Sequence, residues 1–235
     1  MKVSRRTKGP FREQLYFELG EIDDICFDAL RDNKMLPSSP GPIEIERFVE
    51  KHFKCACGYE DLPENIMGFT AFDKNGKVIA IRIQSKLEDG TKVGERRART
   101  TWAHEAGHGL LHARLFIEIP GEQTFFSSPD SNVSNNQILC RNTDVKPVES
   151  RYDGRWWEWQ ANRCIGGLLL PKSLMLEALD SLVKKSLVTG TPSLAAAKRD
   201  KAEDLIAEVF NVNPMAARIR IGEMFPEKNE AQYEF

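Results

Sequence analysis

No stretch of the 235-residue chain approaches the ~18 consecutive apolar residues that a membrane helix requires, so no membrane span is expected. No apolar run follows the basic start Met1-Lys2-Val3-Ser4-Arg5-Arg6, and a secretory signal is therefore not expected either. Charge of one sign is also lacking: 33 basic against 35 acidic side chains leave a net charge of −2, which argues against a general nucleic-acid or membrane-surface binder. The cysteines number five, an odd count at irregular spacing, so a disulfide framework is excluded and free thiols in a reducing, cytoplasmic compartment are expected. Histidine is scarce at four residues, and three of those four fall within nine positions, at His104, His108 and His112.

A hydrophobic share of 41% suffices for a core at this length. Residues 1–12 are basic and read as a mobile tail. Residues 13–33 carry Leu15, Leu19, Ile22, Ile25, Cys26 and Ala29 at helical spacing. Pro37-Ser38-Ser39-Pro40-Gly41-Pro42 is a run of helix breakers, so residues 1–42 are expected as an N-terminal segment with a linker and 43–235 as the main domain. Ile43–Phe53 reads as a short helix. Met67–Phe72 and Val78–Gln84 read as strands joined by an Asn75-Gly76 turn, with Ile79, Ile81 and Ile83 on one face. Cys55–Tyr59 is a third candidate strand. Residues 95–116 predict a long helix, 118–150 a long polar loop, and 155–170 a helix stopped by Pro171. Further helices are expected over 173–187, 199–210 and 214–224. Helix, strands, then helices implies an α+β fold with a small, mostly antiparallel sheet.

The chemistry concentrates in His104-Glu105-Ala106-Gly107-His108. Residues four apart on a helix share a face, so two imidazoles can grip one Zn²⁺, while Glu105 can act as a general base without ligating it. Gly107 and Gly109 weaken the helix that carries them, which a close approach of another backbone would explain. A third ligand is needed. His112 lies eight residues beyond His104, too far along a straight helix for the same ion, and is expected as a hydrogen-bonding neighbour. Glu158 stands among Trp156, Trp157 and Trp159, where a carboxylate is costly unless paired or metal-bound; Asn162 shares its face and can orient Glu158 or a histidine. Glu149 and Asp153 are the next acids in line. Cys140 sits in an apolar island of the long loop and is expected as an inhibitory fourth metal ligand, released by movement of the loop. Cys55-Ala56-Cys57 has no matching second pair and reads as buried small residues. Arg96, Arg97 and Arg99 read as a solvated face, and 201–224 mimics a helix-turn-helix with few basic groups.

Together, His104-Glu105-x-x-His108-x-x-x-His112, Glu158-x-Gln160-Ala161-Asn162 and Leu168-Leu169-Leu170-Pro171 resemble the ImmA/IrrE family of zinc metallopeptidases, as does the tail Ile206–Val212 followed by Ala216-Ala217-Arg218. The resemblance covers residues 43–225. It departs from the pattern at Gln160, where Glu is frequent, and at Cys164 and Ile165, where Phe-Ala is usual. It implies a zincin-like domain, Zn²⁺ held by His104, His108 and Glu158, Glu105 as general base, and cleavage of a helix-turn-helix repressor encoded nearby. Such cleavage derepresses stress, phage-defence or mobile-element genes, and a nucleic acid is a candidate activating signal. The substrate is expected as an added strand beside residues 78–84. The other readings are a non-proteolytic, zinc-stabilised antirepressor and the toxin of a toxin–antitoxin pair.

Overall fold

The structure is a computed structural model that describes residues 1–7, 9–118, 133–134, 136–141, 154–185 and 190–226. A small hairpin opens the chain, β1 (Lys2–Arg5) antiparallel to β2 (Glu13–Tyr16), followed by helices α1 (Leu19–Asp32) and α2 (Ile45–Phe53). Strands β3 (Ala56–Glu60), β4 (Ile66–Phe72) and β5 (Val78–Gln84) lead into the long helix α3 (Lys92–His112), which tightens into a 3₁₀ turn over Ala113–Phe116. Strands β6 (Val133–Ser134) and β7 (Gln137–Arg141) then precede α4 (Trp156–Leu169) and α5 (Lys172–Ala178). The short pair β8 (Lys184–Lys185) and β9 (Pro192–Ser193) separates these from α6 (Arg199–Val209) and α7 (Pro214–Met224).

The central sheet runs β3-β5-β4-β7-β6; only the β3–β5 pair is parallel. An α+β fold with a small, mostly antiparallel sheet is thus what forms. Helix α3 lies across β4 and β5 and packs against α4 on its other side. It starts cleanly because the Thr91 hydroxyl accepts the Gly94 N–H at 2.9 Å. Nearly every residue from Ala98 onward is buried, so the helix is an axle of the core rather than an amphipathic cover.

Several expectations are corrected. The basic start is no tail: it forms β1, and residues 13–16 are strand rather than the first turn of a helix. The reason is local, since Phe11 and Leu15 are 1% and 0% exposed and anchor the hairpin to the core. Phe11 stacks edge-on against Phe116 and Trp157 at centroid distances of 5.8 and 5.4 Å. Residues before 43 therefore share one core with the rest. The long polar stretch contains two strands, and β7 pairs with β4 along its whole length. Residues 78–84 are an interior strand, flanked by β3 and β4, so no substrate strand can be added there. Ile79 leaves the shared face because the register shifts between Ala71 and Phe72, and it is 48% exposed while Ile81 and Ile83 are buried. The segment after Pro171 is helical only to Ala178.

Of the three arginines at the head of α3, Arg97 is exposed as expected, whereas Arg96 and Arg99 are not part of a solvated face. Arg96 donates to Asn211 Oδ1, the Ala207 carbonyl and Glu208, and Arg99 donates to the carbonyls of Ile43 and Asn211. They clamp α3 to the α6–α7 corner. That corner packs α6 against α7, whose first turn is capped by Asn213 Oδ1 accepting the Met215 N–H. Its Arg220 is 3% exposed and ion-paired to Asp23 at 2.7 Å, and so is committed to packing α7 against α1.

Candidate metal centre

Helices α3 and α4 cross where Gly107 faces Ala161. A Cβ on Gly107 would stand 2.7 Å from Cys164 Cβ and 3.1 Å from the Ala161 backbone, so the glycine is what lets the helices meet. Gly109 instead makes room for the Phe53 ring, a side chain rather than a backbone. This close crossing brings His104, His108 and Glu158 together.

Their ligand atoms lie within 4.8 Å of one another and all three residues are buried. His104 Nε2 and His108 Nε2 are 3.0 Å apart, and Glu158 Oε2 lies 3.2 and 3.6 Å from them. Two donors of a tetrahedral ion with bonds of about 2.0–2.1 Å sit about 3.3 Å apart, so the three separations bracket that value.

Hydrogen bonds fix which nitrogen of each ring faces the cluster. Gln160 Nε2 donates to the Leu15 carbonyl at 2.7 Å, which turns its Oε1 towards His112 Nε2 at 3.0 Å. That oxygen can only accept, so His112 Nε2 carries the proton. Burial, reinforced by neighbouring His108, pushes His112 down to about 3, and the ring is neutral. Its Nδ1 is then a lone pair and accepts from His108 Nδ1 at 3.0 Å. His108 Nε2 is left as a lone pair facing the cluster. His104 reaches the same state more directly, since its Nδ1 donates to Asn162 Oδ1 at 3.0 Å. Two imine nitrogens and a carboxylate thus face one another.

Such a set repels itself unless a cation sits among it. Neither oxygen of Glu158 accepts a hydrogen bond among the described residues, although the side chain is 4% exposed. Burial alone would raise its proton affinity, but positive charge on His108 and His104 outweighs this and holds the carboxyl well below the usual range. For His104 burial opposes charge, yet Cys140 and Glu158 carry its proton affinity well above that of an ordinary histidine. The cluster is built to surround positive charge, and the donor set fits a divalent metal ion.

Glu105 leans on the sheet, with a carboxylate oxygen still within 4.8 Å of a His104 nitrogen. The Thr70 hydroxyl of β4 lies 2.7 Å from Glu105 Oε2 and 2.9 Å from the Glu105 carbonyl. Two residues back on the same face, a Cβ on Gly68 would stand 2.9 Å from Glu105 Oε1, so Gly68 clears the space the carboxylate fills. Neither Thr70 nor Gly68 was singled out in the sequence; the Gly-x-Thr spacing on a strand ahead of the His104 helix is the signal that could have found them.

Cys140 does come to the site, but from β7, where it pairs with Gly68. Its sulfur groups with His104 and Glu105 within 4.8 Å, sharing only His104 with the three-donor set. Burial pushes the thiol up to about 12; His104 pulls it down, and Glu105 and Glu158 add to the rise. A residue held in a paired strand cannot leave by the swing of a loop, and that part of the expectation fails. Glu149 and Asp153 lie outside the described residues.

No protein-family model matches the chain, and no curated protein matches it. Among the described residues no helix is long and apolar enough to cross a membrane.

Proposed function

We propose that the protein is a zincin-like zinc metallopeptidase of the ImmA/IrrE type that cleaves a helix-turn-helix repressor. The observation that carries this reading is the convergence of three donors whose orientation is fixed before any ion arrives: His104 Nε2, His108 Nε2 and Glu158 Oε2, within 3.0–3.6 Å of one another. Zinc bound there supplies a Lewis acid that polarises a carbonyl and acidifies water. Asn162 and His112 hold the two imidazoles with their Nε2 lone pairs aimed at the ion. Glu105 takes a proton from water at its carboxylate and returns it to the leaving amine. Thr70 keeps that carboxylate aligned through Oε2. The substrate docks as an extended strand on the outer edge of β7 at Leu139–Arg141, which no strand covers among the described residues and which runs past Cys140 to the metal helix.

A second reading, a zinc-stabilised binding protein that displaces the repressor without cutting it, draws on the burial of the centre. His104, Glu105 and His108 are each 0% exposed, as in closed structural sites. Glu105→Gln separates the two. With the repressor gene carried alongside, peptidase action predicts that the variant keeps its metal and loses both cleavage and derepression. Derepression that survives the substitution would leave only the binding reading.

A further inference from the structure

Of the five cysteines, Cys26, Cys140 and Cys164 are buried, whereas Cys55 and Cys57 are partly exposed. These two flank Ala56 where the chain leaves α2 and enters β3, an edge strand of the central sheet. Cys55 lies in the bend that leads into β3 and Cys57 within the strand, and their sulfurs are 3.4 Å apart. The Arg82 guanidinium of β5 lies over the neighbouring Gly58, its Nη1 3.5 Å from where a Cβ would stand. A cation, itself paired to Glu60 at 3.3 Å, a partly exposed thiol pair and a strand edge thus coincide, well away from the metal ligands in sequence and on the edge of the sheet opposite β6.

From this geometry we infer that Cys55 and Cys57 are a redox-active dithiol that closes reversibly to a disulfide by exchange with small-molecule disulfides. Cys55 attacks first. The hydrogen bond from Cys57 lowers its proton affinity, with Arg82 adding to the effect, while the same bond keeps the proton on Cys57. The Cys55 thiolate attacks one sulfur of the disulfide RSSR, breaks its S–S bond and releases RS⁻, leaving a mixed disulfide on Cys55. Cys57 then gives up its proton, attacks the Cys55 sulfur and releases the second RS⁻. Both departing thiolates take up the protons that the two cysteines lost. The protein is oxidised by two electrons and RSSR is reduced to two RSH.

The bond so formed is labile. Only Ala56 separates the two cysteines, so the bridge closes a minimal ring whose Cα atoms must fall within the roughly 4.4–6.8 Å that disulfides span. Closing it draws in the start of β3, and such strained, exposed bridges are readily reduced. Lys54, left-handed at φ 50°, ends α2 just before Cys55 and gives that start a bend to adjust. Tyr59 of the same strand packs edge-on against Trp102 of the metal helix at 5.9 Å, so the change has a contact through which to reach α3.

The full chain should be equilibrated with oxidised and reduced glutathione and digested with trypsin. Cleavage after Lys54 and Lys74 yields a peptide, residues 55–74, that holds both cysteines and none of the other three. The expected result is a loss of two hydrogens from that peptide, reversed by excess reductant. Cys57→Ser should stop at one glutathione on Cys55, and Cys55→Ser should react about tenfold more slowly. A peptide that stays reduced across the buffer range, or that gains two glutathiones instead of closing, would overturn the inference. Neither result bears on the metal centre, so the outcome is independent of the peptidase reading.

Discussion

Gln160 touches neither the three-donor cluster nor Glu105, yet it decides the tautomer of a ligand. Its amide is oriented by the Leu15 carbonyl, and through His112 it sets which nitrogen of His108 faces the cluster. Gln160→Leu keeps the bulk and removes the acceptor, so His112 is freed to turn its N–H towards His108. The expected outcome is a 10–100-fold loss of metal affinity with the fold retained, measured by competition with a chromogenic chelator. Asn162→Leu should act alike through His104. Thr70→Val is expected to behave differently, because Thr70 holds Glu105, the base of the proposed mechanism, and none of the three donors. Metal content should be unchanged while kcat falls about 10–100-fold, the worth of a hydrogen bond to a charged group at about 1.5–3 kcal/mol. A Thr70→Val chain that loses its metal would show that the hydroxyl supports the cluster instead.

Helix α3 carries these roles only because α4 comes so close. Gly107→Ala places a methyl 2.7 Å from Cys164 Cβ and 3.1 Å from the Ala161 backbone, where a rigid helix cannot give way. A loss of about 1–3 kcal/mol in denaturant unfolding is expected, with weaker metal binding as the helices part. This crossing was partly legible in the sequence, since two glycines inside a helix ask for a close neighbour, and Gly107 has a backbone there. The metal helix and Glu158 were legible for similar reasons: residue type and helical spacing together are specific. Other elements were not. β1 and β2 are four residues each, too short to show alternation, and their pairing depends on Phe11 finding a slot beside Trp157. β7 was hidden because Gln137-Ile138-Leu139-Cys140-Arg141 lies within a polar stretch and gains its strand character from β4. The predicted helix ends at Ala178, where the Leu179 N–H bonds back to Met175 and Glu177 and the chain passes into turns. Arg96 could not be told from the exposed Arg97 beside it, because its partners, Asn211 and Glu208, are more than 110 residues away.

At the scale of the molecule, the metal centre joins three parts of the chain: α3, α4 and, through Leu15, the N-terminal hairpin. Removing residues 1–17 would therefore do more than trim an end. It would expose Trp156 and Trp157 and deprive Gln160 of its carbonyl, so the truncated chain should melt earlier and bind metal more weakly than the whole one. In the proposed reading an ion shared by α3 and α4 also ties folding to metal, and a strong chelator should lower the thermal midpoint of the intact chain. All of this hangs on the three donors being a zinc site. The most direct measurement is the zinc content of the purified chain and of four variants, by elemental analysis after dialysis. About one zinc per chain is expected in the parent and in Glu105→Gln, and none in His104→Ala, His108→Ala or Glu158→Ala. A Glu158→Ala chain that keeps a full equivalent of zinc would contradict the account.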